Sequence, residues 1–217
     1  MREDRCELYE IDSIKSSNTN KEKFVVNFAD GSKILINTSQ IADYNLFNGR
    51  KLTKAEFSEL GESVSLTNSK VSALKILGNR NLSKAEIKRR LVKKGSSEEV
   101  SDATTKWLEE SGLINDEKYA HTIVRHYREK GYGPARIKDE LYKRGIPREQ
   151  WDEVLAEELD ESDIVAAAES YLDKKLRGEV DSSVLRKAEN ALIRRGFSYE
   201  HARIAVKRYT EKMTESL

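Results

Sequence analysis

At 217 residues, the chain is long enough for one or two ordinary domains or a row of small ones. Its 35% charged and 37% hydrophobic residues and mean hydropathy of −0.72 describe a thin core under a large solvated surface. Two prolines and eleven glycines argue against a largely disordered chain, the lone Cys6 excludes an intramolecular disulfide and any cysteine-based zinc site, and no apolar run approaches a membrane span. The N-terminal MREDRCELYE has no signal-peptide core, so a cytoplasmic protein is expected. The net charge of +1 is unevenly laid out: 9 Lys/Arg against 11 Asp/Glu over residues 1–68, 18 against 11 over 69–147, and 12 against 16 over 148–217. A basic middle between acidic flanks suits a phosphate backbone or an acidic protein face.

In chain order, residues 5–36 read as strands. Phe24–Phe28 and Lys33–Ile36 flank Asp30-Gly31, a two-residue type I′ turn signal, and Leu8 to Ile14 makes a third strand with its turn at Ser16 to Asn20. Residues 39–60 turn helical. Ser39 is placed to cap a short helix ending near Asn48-Gly49, Thr53-x-x-Glu56 is a capping box ahead of Phe57 and Leu60, and Gly61 ends that piece. From about Asn68 onward only helix signals remain.

Aligning the glycine stops shows a repeat. Leu91-Val-Lys-Lys-Gly95, Leu141-Tyr-Lys-Arg-Gly145 and Leu192-Ile-Arg-Arg-Gly196 share one pattern at spacings of 50 and 51 residues. Ile87, Ile137 and Ala188 stand four residues before each Leu and keep one buried face. A further helix follows each Gly: Ser96-x-x-Glu99 caps the first, Pro147 starts the second and Ser198 the third. Val100, Trp151 and Ala202 then match, as do Ala103, Val154 and Ala205. The densest pattern lies between Gly112 and Pro147. Asn115 caps a helix whose Ala120, Ile123, Val124 and Tyr127 face a core, Gly131 stops it, and Gly133-Pro134 opens a second helix with Ile137 and Leu141 inward and Gly145 as left-handed cap. The expected fold is mainly α: a β/α extension over 1–66, then three-helix repeats over 67–114, 115–161 and 162–217 that lean on one another as an elongated curved rod.

No Walker loop, Rossmann fingerprint or Gly-x-Ser-x-Gly elbow is present, so neither enzyme nor cofactor is expected. His121 and His126 point about 140° apart on one helix and cannot share a metal. The acidic run Asp152 to Asp163 holds seven carboxylates and no Lys or Arg; it reads first as a solvated face and second as a partner for a basic neighbouring repeat. Lys93-Lys94, Lys143-Arg144 and Arg194-Arg195 sit in last helical turns, where each cation complements the helix dipole by roughly 0.3–1 kcal/mol. Capping and binding explain them equally well. Capping does not explain His121, Arg125 and Arg128, a mid-helix stripe. With Arg136, Lys138, Lys88, Arg89 and Arg90 they would form a basic band able to hold phosphates without reading sequence. Among the interleaved tyrosines Tyr127 is expected in the core and Tyr132, beside two glycines, exposed for stacking. Reversing Arg125 and Arg128 to Glu is therefore expected to weaken binding with the fold retained.

At these residues the chain resembles the RecX regulatory proteins of bacteria. The resemblance rests on Gly112-Leu-Ile-Asn-Asp116, Tyr119-Ala120, Val124-Arg125, Gly131-Tyr-Gly-Pro-Ala-Arg136-Ile137 and Glu140-Leu141 through Gly145-Ile146, and extends to Ser83-x-x-Glu86-Ile87. It implies tandem three-helix repeats and a non-enzymatic partner of the RecA recombinase. Such a protein binds in the helical groove of the RecA filament on single-stranded DNA, inhibits strand exchange and ATP hydrolysis, and binds DNA weakly without sequence preference. A monomer acting in homologous recombination, DNA repair and the SOS response follows from the same resemblance. It implies contacts at Arg125, Arg128, Arg136, Lys138, Lys143 and Arg144. Two other readings stay open: a stand-alone DNA-binding protein of helix-turn-helix type, and a helical-repeat adaptor for another protein.

Overall fold

A computed structural model describes residues 8–17, 22–78 and 80–215; Cys6 and residues 18–20 of the expected turn lie outside them. The chain forms two compact units, residues 1–78 with 90–106 and residues 79–89 with 107–217. It is mainly helical, with a small N-terminal strand region.

In the first unit, β1 (Leu8–Ser16), β2 (Lys23–Phe28), β3 (Lys33–Asn37) and β4 (Lys51–Thr53) form an antiparallel sheet in the order β3-β2-β1-β4. The fourth strand is too short for a period-2 pattern, so the three-strand expectation missed it. The Asp30-Gly31 turn also differs from type I′, since among the described residues only Asn45 and Arg177 take positive φ without being glycine. Backbone bonds close the turn over one more residue, from the Gly31 N–H to the Phe28 carbonyl and from the Phe28 N–H to the Ser32 carbonyl; Gly31 takes positive φ, and the Asp30 carboxylate accepts from the Ser32 backbone N–H and hydroxyl. Between β3 and β4, α1 (Thr38–Asp43) is capped by Asn37 with Gln40, two residues earlier than Ser39. Ile11, Val26, Phe28, Ile36, Leu46, Leu52 and Leu60 make the core, with Tyr9 and Phe57 stacked 4.0 Å apart.

Helix α2 (Lys54–Leu77) begins with the Thr53–Glu56 capping box as expected, but it does not stop at Gly61. One glycine in a helix interior costs about 1 kcal/mol, and burial of Leu60, Ser69 and Ala73 along the same helix outweighs it. The expected boundary between residues 66 and 67 therefore falls inside a continuous helix.

Two helices, α3 (Lys84–Lys93) and α4 (Glu98–Glu110), carry the chain between the units. Ser83 and Glu86 form the capping box of α3. The α4 cap is Ser97, whose hydroxyl accepts from the Val100 N–H, and not Ser96. That one-residue shift changes which side chains face inward. Ser101, Thr104, Thr105 and Leu108 are buried, whereas Val100 is half-buried and Ala103 exposed. The matches of Val100 with Trp151 and of Ala103 with Val154 are thus corrected to Ser101 and Thr104. Thr104 and Ser96 hydrogen-bond Ser69 on α2.

The second unit holds α5 (Asp116–Glu129), α6 (Pro134–Arg144) and α7 (Arg148–Glu158) around Ala120, Ile123, Val124, Ile137, Leu141, Ile146, Val154 and Leu155. It also holds α8 (Glu161–Leu176), α9 (Ser182–Arg194) and α10 (Tyr199–Glu215) around Ala168, Leu172, Ala188, Leu192, Ala202, Ala205 and Tyr209. Asn115 caps α5, and the Tyr209 hydroxyl accepts from the Gly178 N–H beyond the end of α8. Gly95, Gly145 and Gly196 all take positive φ, the conformation that the shared Leu-x-x-x-Gly stop requires.

Candidate functional site

The mid-helix stripe of α5 is tied to one carboxylate. Glu158, in the last turn of α7, lies four residues after Val154 and three after Leu155, so helical periodicity turns it inward with them. It is nearly buried. Its Oε1 accepts from Arg125 Nε at 2.8 Å and faces His121 Nδ1 at 2.8 Å, and Arg128 Nη1 donates to its backbone carbonyl at 2.7 Å. Hydrogen bonding from Arg125, aided by His121, holds the Glu158 carboxyl at about 2 although burial opposes it. Glu158 thus departs from a solvated acidic run, and its partners come from its own three-helix group. Asp152, Glu153, Glu157, Asp160, Glu161 and Asp163 are exposed.

A second carboxylate, on α6, gathers cations of its own helix. Glu140 is nearly buried, and Arg136, Lys143 and Arg144 approach it at 3.2, 3.3 and 2.8 Å. Arg144 also donates to the Tyr119 hydroxyl. Its hydrogen bond is the main cause that brings the Glu140 carboxyl to about 2. Six of the candidate cations are therefore turned toward two glutamates. A buried carboxylate that collects several donors fixes helix positions strongly, because removing it strands its partners.

The remaining candidates divide between helix junctions and open surface. Arg195 lies between two rings, its guanidinium 4.1 Å from the Tyr132 centroid and 4.6 Å from that of Tyr171. It donates to the carbonyls of Gly131 and Lys130 at 2.8 and 2.5 Å. Tyr132 is consequently half-buried, whereas Tyr142 on α6 is 76% exposed. At the same junction the N–H groups of Gly133 and Ala135 donate to the carbonyls of Arg195 and Gly196. The N-terminus of α6 thus sits end-on against the C-terminus of α9, so donors without intrahelical partners meet carbonyls in the same state. Any side chain at Gly133 would overlap the backbone of Gly196 and Phe197. Fifty residues earlier the Ser83 hydroxyl donates to the Arg144 carbonyl, and Arg89 reaches the Lys143 carbonyl at 3.2 Å, so side chains of α3 take the place of backbone donors at the end of α6. Lys88 is half-buried. Lys138 and Arg194 in the second unit are exposed with no ion pair among the described residues, as are Arg90, Lys93 and Lys94 in the first.

Sequence reasoning missed Glu140 and Glu158 as organising groups. Both were readable: Glu140 stands four residues from Arg136 and from Arg144, and Glu158 continues an apolar stripe. The junctions had a fainter signal, the small residues Ser83 and Gly133 at equivalent places.

A family model described as RecX, second three-helix domain, matches residues 115–155, the stretch containing both carboxylates' partners. The regulatory protein RecX of Pseudomonas entomophila (strain L48) is 32% identical over 131 residues, which are 59% of this chain and 83% of that protein. The chain belongs to the RecX family. The regulatory protein RecX of Listeria monocytogenes serotype 4b is 25% identical over 206 residues, 94% of this chain and 77% of that one. A RecX crystal structure superposes with a TM-score of 0.69 at 20% identity, covering 91% of this chain and 98% of the other, which shows the shared fold. As a member of the RecX family the chain is a regulatory protein. Among its described residues no helix is long and apolar enough to cross a membrane.

Proposed function

We propose that this chain regulates the RecA recombinase by binding RecA and its filament on single-stranded DNA, within the helical groove, and lowers the filament's strand exchange and ATP hydrolysis. The observation that carries this reading is its membership of the RecX family, seen most directly in the 115–155 match. Successive repeats, at 67–114, 115–161 and 162–217, would contact successive protomers. Lys138 and Arg194 with Arg90, Lys93 and Lys94 supply charge that no ion pair within the described chain absorbs; Arg125 and Lys143 add partly exposed charge. The paired cations hold the helices in place while the open ones meet the polymer. Direct DNA binding is then weak, sequence-blind and steeply salt-dependent. The protein acts without catalysis, as a cytoplasmic monomer, in homologous recombination, DNA repair and the SOS response.

The test adds the protein to RecA hydrolysing ATP on single-stranded DNA. Hydrolysis and strand exchange are expected to fall with added protein. Unchanged hydrolysis, filament length and strand exchange at saturating protein would overturn the reading. Tight, sequence-selective duplex binding without RecA would favour a stand-alone DNA-binding protein instead.

A further inference from the structure

Within the first unit a groove of about 630 Å³ runs between α2 and the first turns of α4. Its floor is apolar, made by Tyr44, Leu66, Val100 and Ala103. Its rim is acidic: Glu59 and Glu62 come from α2 and Glu99 from α4, and no lysine or arginine lines it. The residues on α2 fall at 59, 62, 63 and 66 and those on α4 at 99, 100 and 103, so each helix gives the groove one continuous face. A shallower hollow on the far side of Glu62 and Val100 continues the apolar surface past Phe57 and Tyr9, with Lys54 at its edge.

In the corrected register α4 buries the same positions as its counterparts but fills them with hydroxyl side chains. In α7 and α10 the equivalent positions bury Val154, Ala202 and Ala205, whereas α4 buries Ser101, Thr104 and Thr105 and turns Val100 and Ala103 outward. Small hydroxyls occupy the core face, held by bonds such as Thr104 to Ser69, and apolar side chains occupy a solvent-facing cleft. Glu59 makes no ion pair among the described residues, and Glu62 accepts from the Ser58 hydroxyl at 3.5 Å.

We infer that this groove is a docking site for an amphipathic helix of a protein partner whose apolar stripe is flanked by lysine or arginine. A helix laid in a groove is read through side chains at one face, and a volume within the range of about 300–1,000 Å³ typical of binding clefts takes such a stripe. The carboxylates of Glu59 and Glu62 commit the occupant's charge. They repel a nucleic-acid backbone and attract cations placed beside the stripe. The site does not depend on the filament reading, since it lies on α2 and α4 and uses none of the basic candidates.

The test uses the full chain and a fluorescein-labelled helical peptide of leucine and lysine, about 14 residues or four turns long, followed by anisotropy and by amide NMR. A matched leucine and glutamate peptide serves as control. The lysine peptide is expected to bind at least about tenfold more tightly than the glutamate peptide, a difference of about 1.4 kcal/mol, with shifts centred on Leu66, Val100 and Ala103. Ala103→Arg, at an exposed helical position that arginine suits, is expected to abolish the preference, as is the double variant Glu59→Lys with Glu62→Lys; Ala103→Ser should keep it. Equal binding of both peptides overturns the inference. So does binding that Ala103→Arg leaves intact, or shifts centred elsewhere. Loss in Ala103→Arg of self-association, or of binding to a single-stranded oligonucleotide, would assign the groove to another occupant and equally overturn it.

Discussion

The groups α5–α7 and α8–α10 have the same helical outline and hold together by different means. The first draws charge inward: Glu140 and Glu158, nearly buried, gather six basic side chains at the edge of a modest apolar core. The second keeps its charge outside. Its α8 and α10 are joined by a ladder of pairs, Glu161–His201, Glu169–Arg208 and Asp173–Lys212, whose carboxylates are all partly exposed, over a core of Ala168, Leu172, Ala202, Ala205 and Tyr209. Exposed pairs are worth little, with a median of about 0–1 kcal/mol, whereas removing one partner of a buried network costs about 3–5 kcal/mol. The same fold therefore depends on particular charges in one place and on apolar burial in the other.

Glu158→Ala separates the two most strongly. It strands His121 and Arg125 beside an apolar core, while Arg128 keeps the backbone carbonyl it bonds, and a loss of about 3 kcal/mol is expected in urea denaturation, at the low end for a buried network because Arg125 can turn to solvent. The pH dependence follows from the same group. Both carboxyls sit at about 2 in the folded protein against an ordinary 4.5, so their stabilisation is complete above about 4.5 and is lost as the pH falls toward 2. Wild type should lose stability steeply on that acid limb, and Glu158→Ala should flatten it. A variant with unchanged urea midpoint and unchanged acid limb would show that the network does not hold the helices. The same geometry revises the expectation for Arg125→Glu with Arg128→Glu: a lowered urea midpoint should now accompany any loss of binding.

Glycine substitutions probe where the two groups meet. At Gly133 φ is −82°, which alanine tolerates, yet a Cβ there would collide with the Gly196 backbone. Gly133→Ala is expected to cost about 2 kcal/mol by overpacking. Gly61→Ala, inside α2 with nothing within 4 Å of the added carbon, should instead raise stability by roughly 0.5–1 kcal/mol. Opposite signs in thermal unfolding would attribute the Gly133 loss to the end-on junction, since both sites are backbone-compatible. A Gly133→Ala melt matching wild type would remove the junction from the account.

Most of the fold could be read from the sequence because its signals are local. The three Leu-to-Gly stops, the Thr53 capping box, and the stripe of Ala120, Ile123 and Val124 each follow from spacing within one helix, and each stands where spacing put it. What failed was decided at a distance or by one residue. β4 forms because Leu8–Glu10 offers it an edge 41 or more residues away, and α4 was misread because Ser96 and Ser97 are equally good caps by type. The candidate site was read least well. A helical wheel shows that Arg125 and Arg128 share a face, but it does not show that Glu158, 30 residues on, closes that face. Tyr132 looked open because glycines flank it; Arg195, 63 residues on, covers it.

The smallest expected effects sharpen the contrast from its other side. Arg208→Ala removes one rung of the α8–α10 ladder, a 3.3 Å pair in which the arginine side chain is 57% exposed, so a loss under about 1 kcal/mol is expected. Lys138→Glu and Arg194→Glu break no ion pair among the described residues and should leave the urea midpoint within about 0.5 kcal/mol of wild type. If the open cations meet the filament, these two changes weaken the inhibition of RecA-dependent hydrolysis, while Arg208→Ala leaves it intact. A double variant Lys138→Glu with Arg194→Glu that is as stable and as inhibitory as wild type would move the contact surface away from α6 and α9. The partly exposed faces of Arg125 and Lys143 and the Arg90–Lys94 segment of the first unit would then be left to carry it.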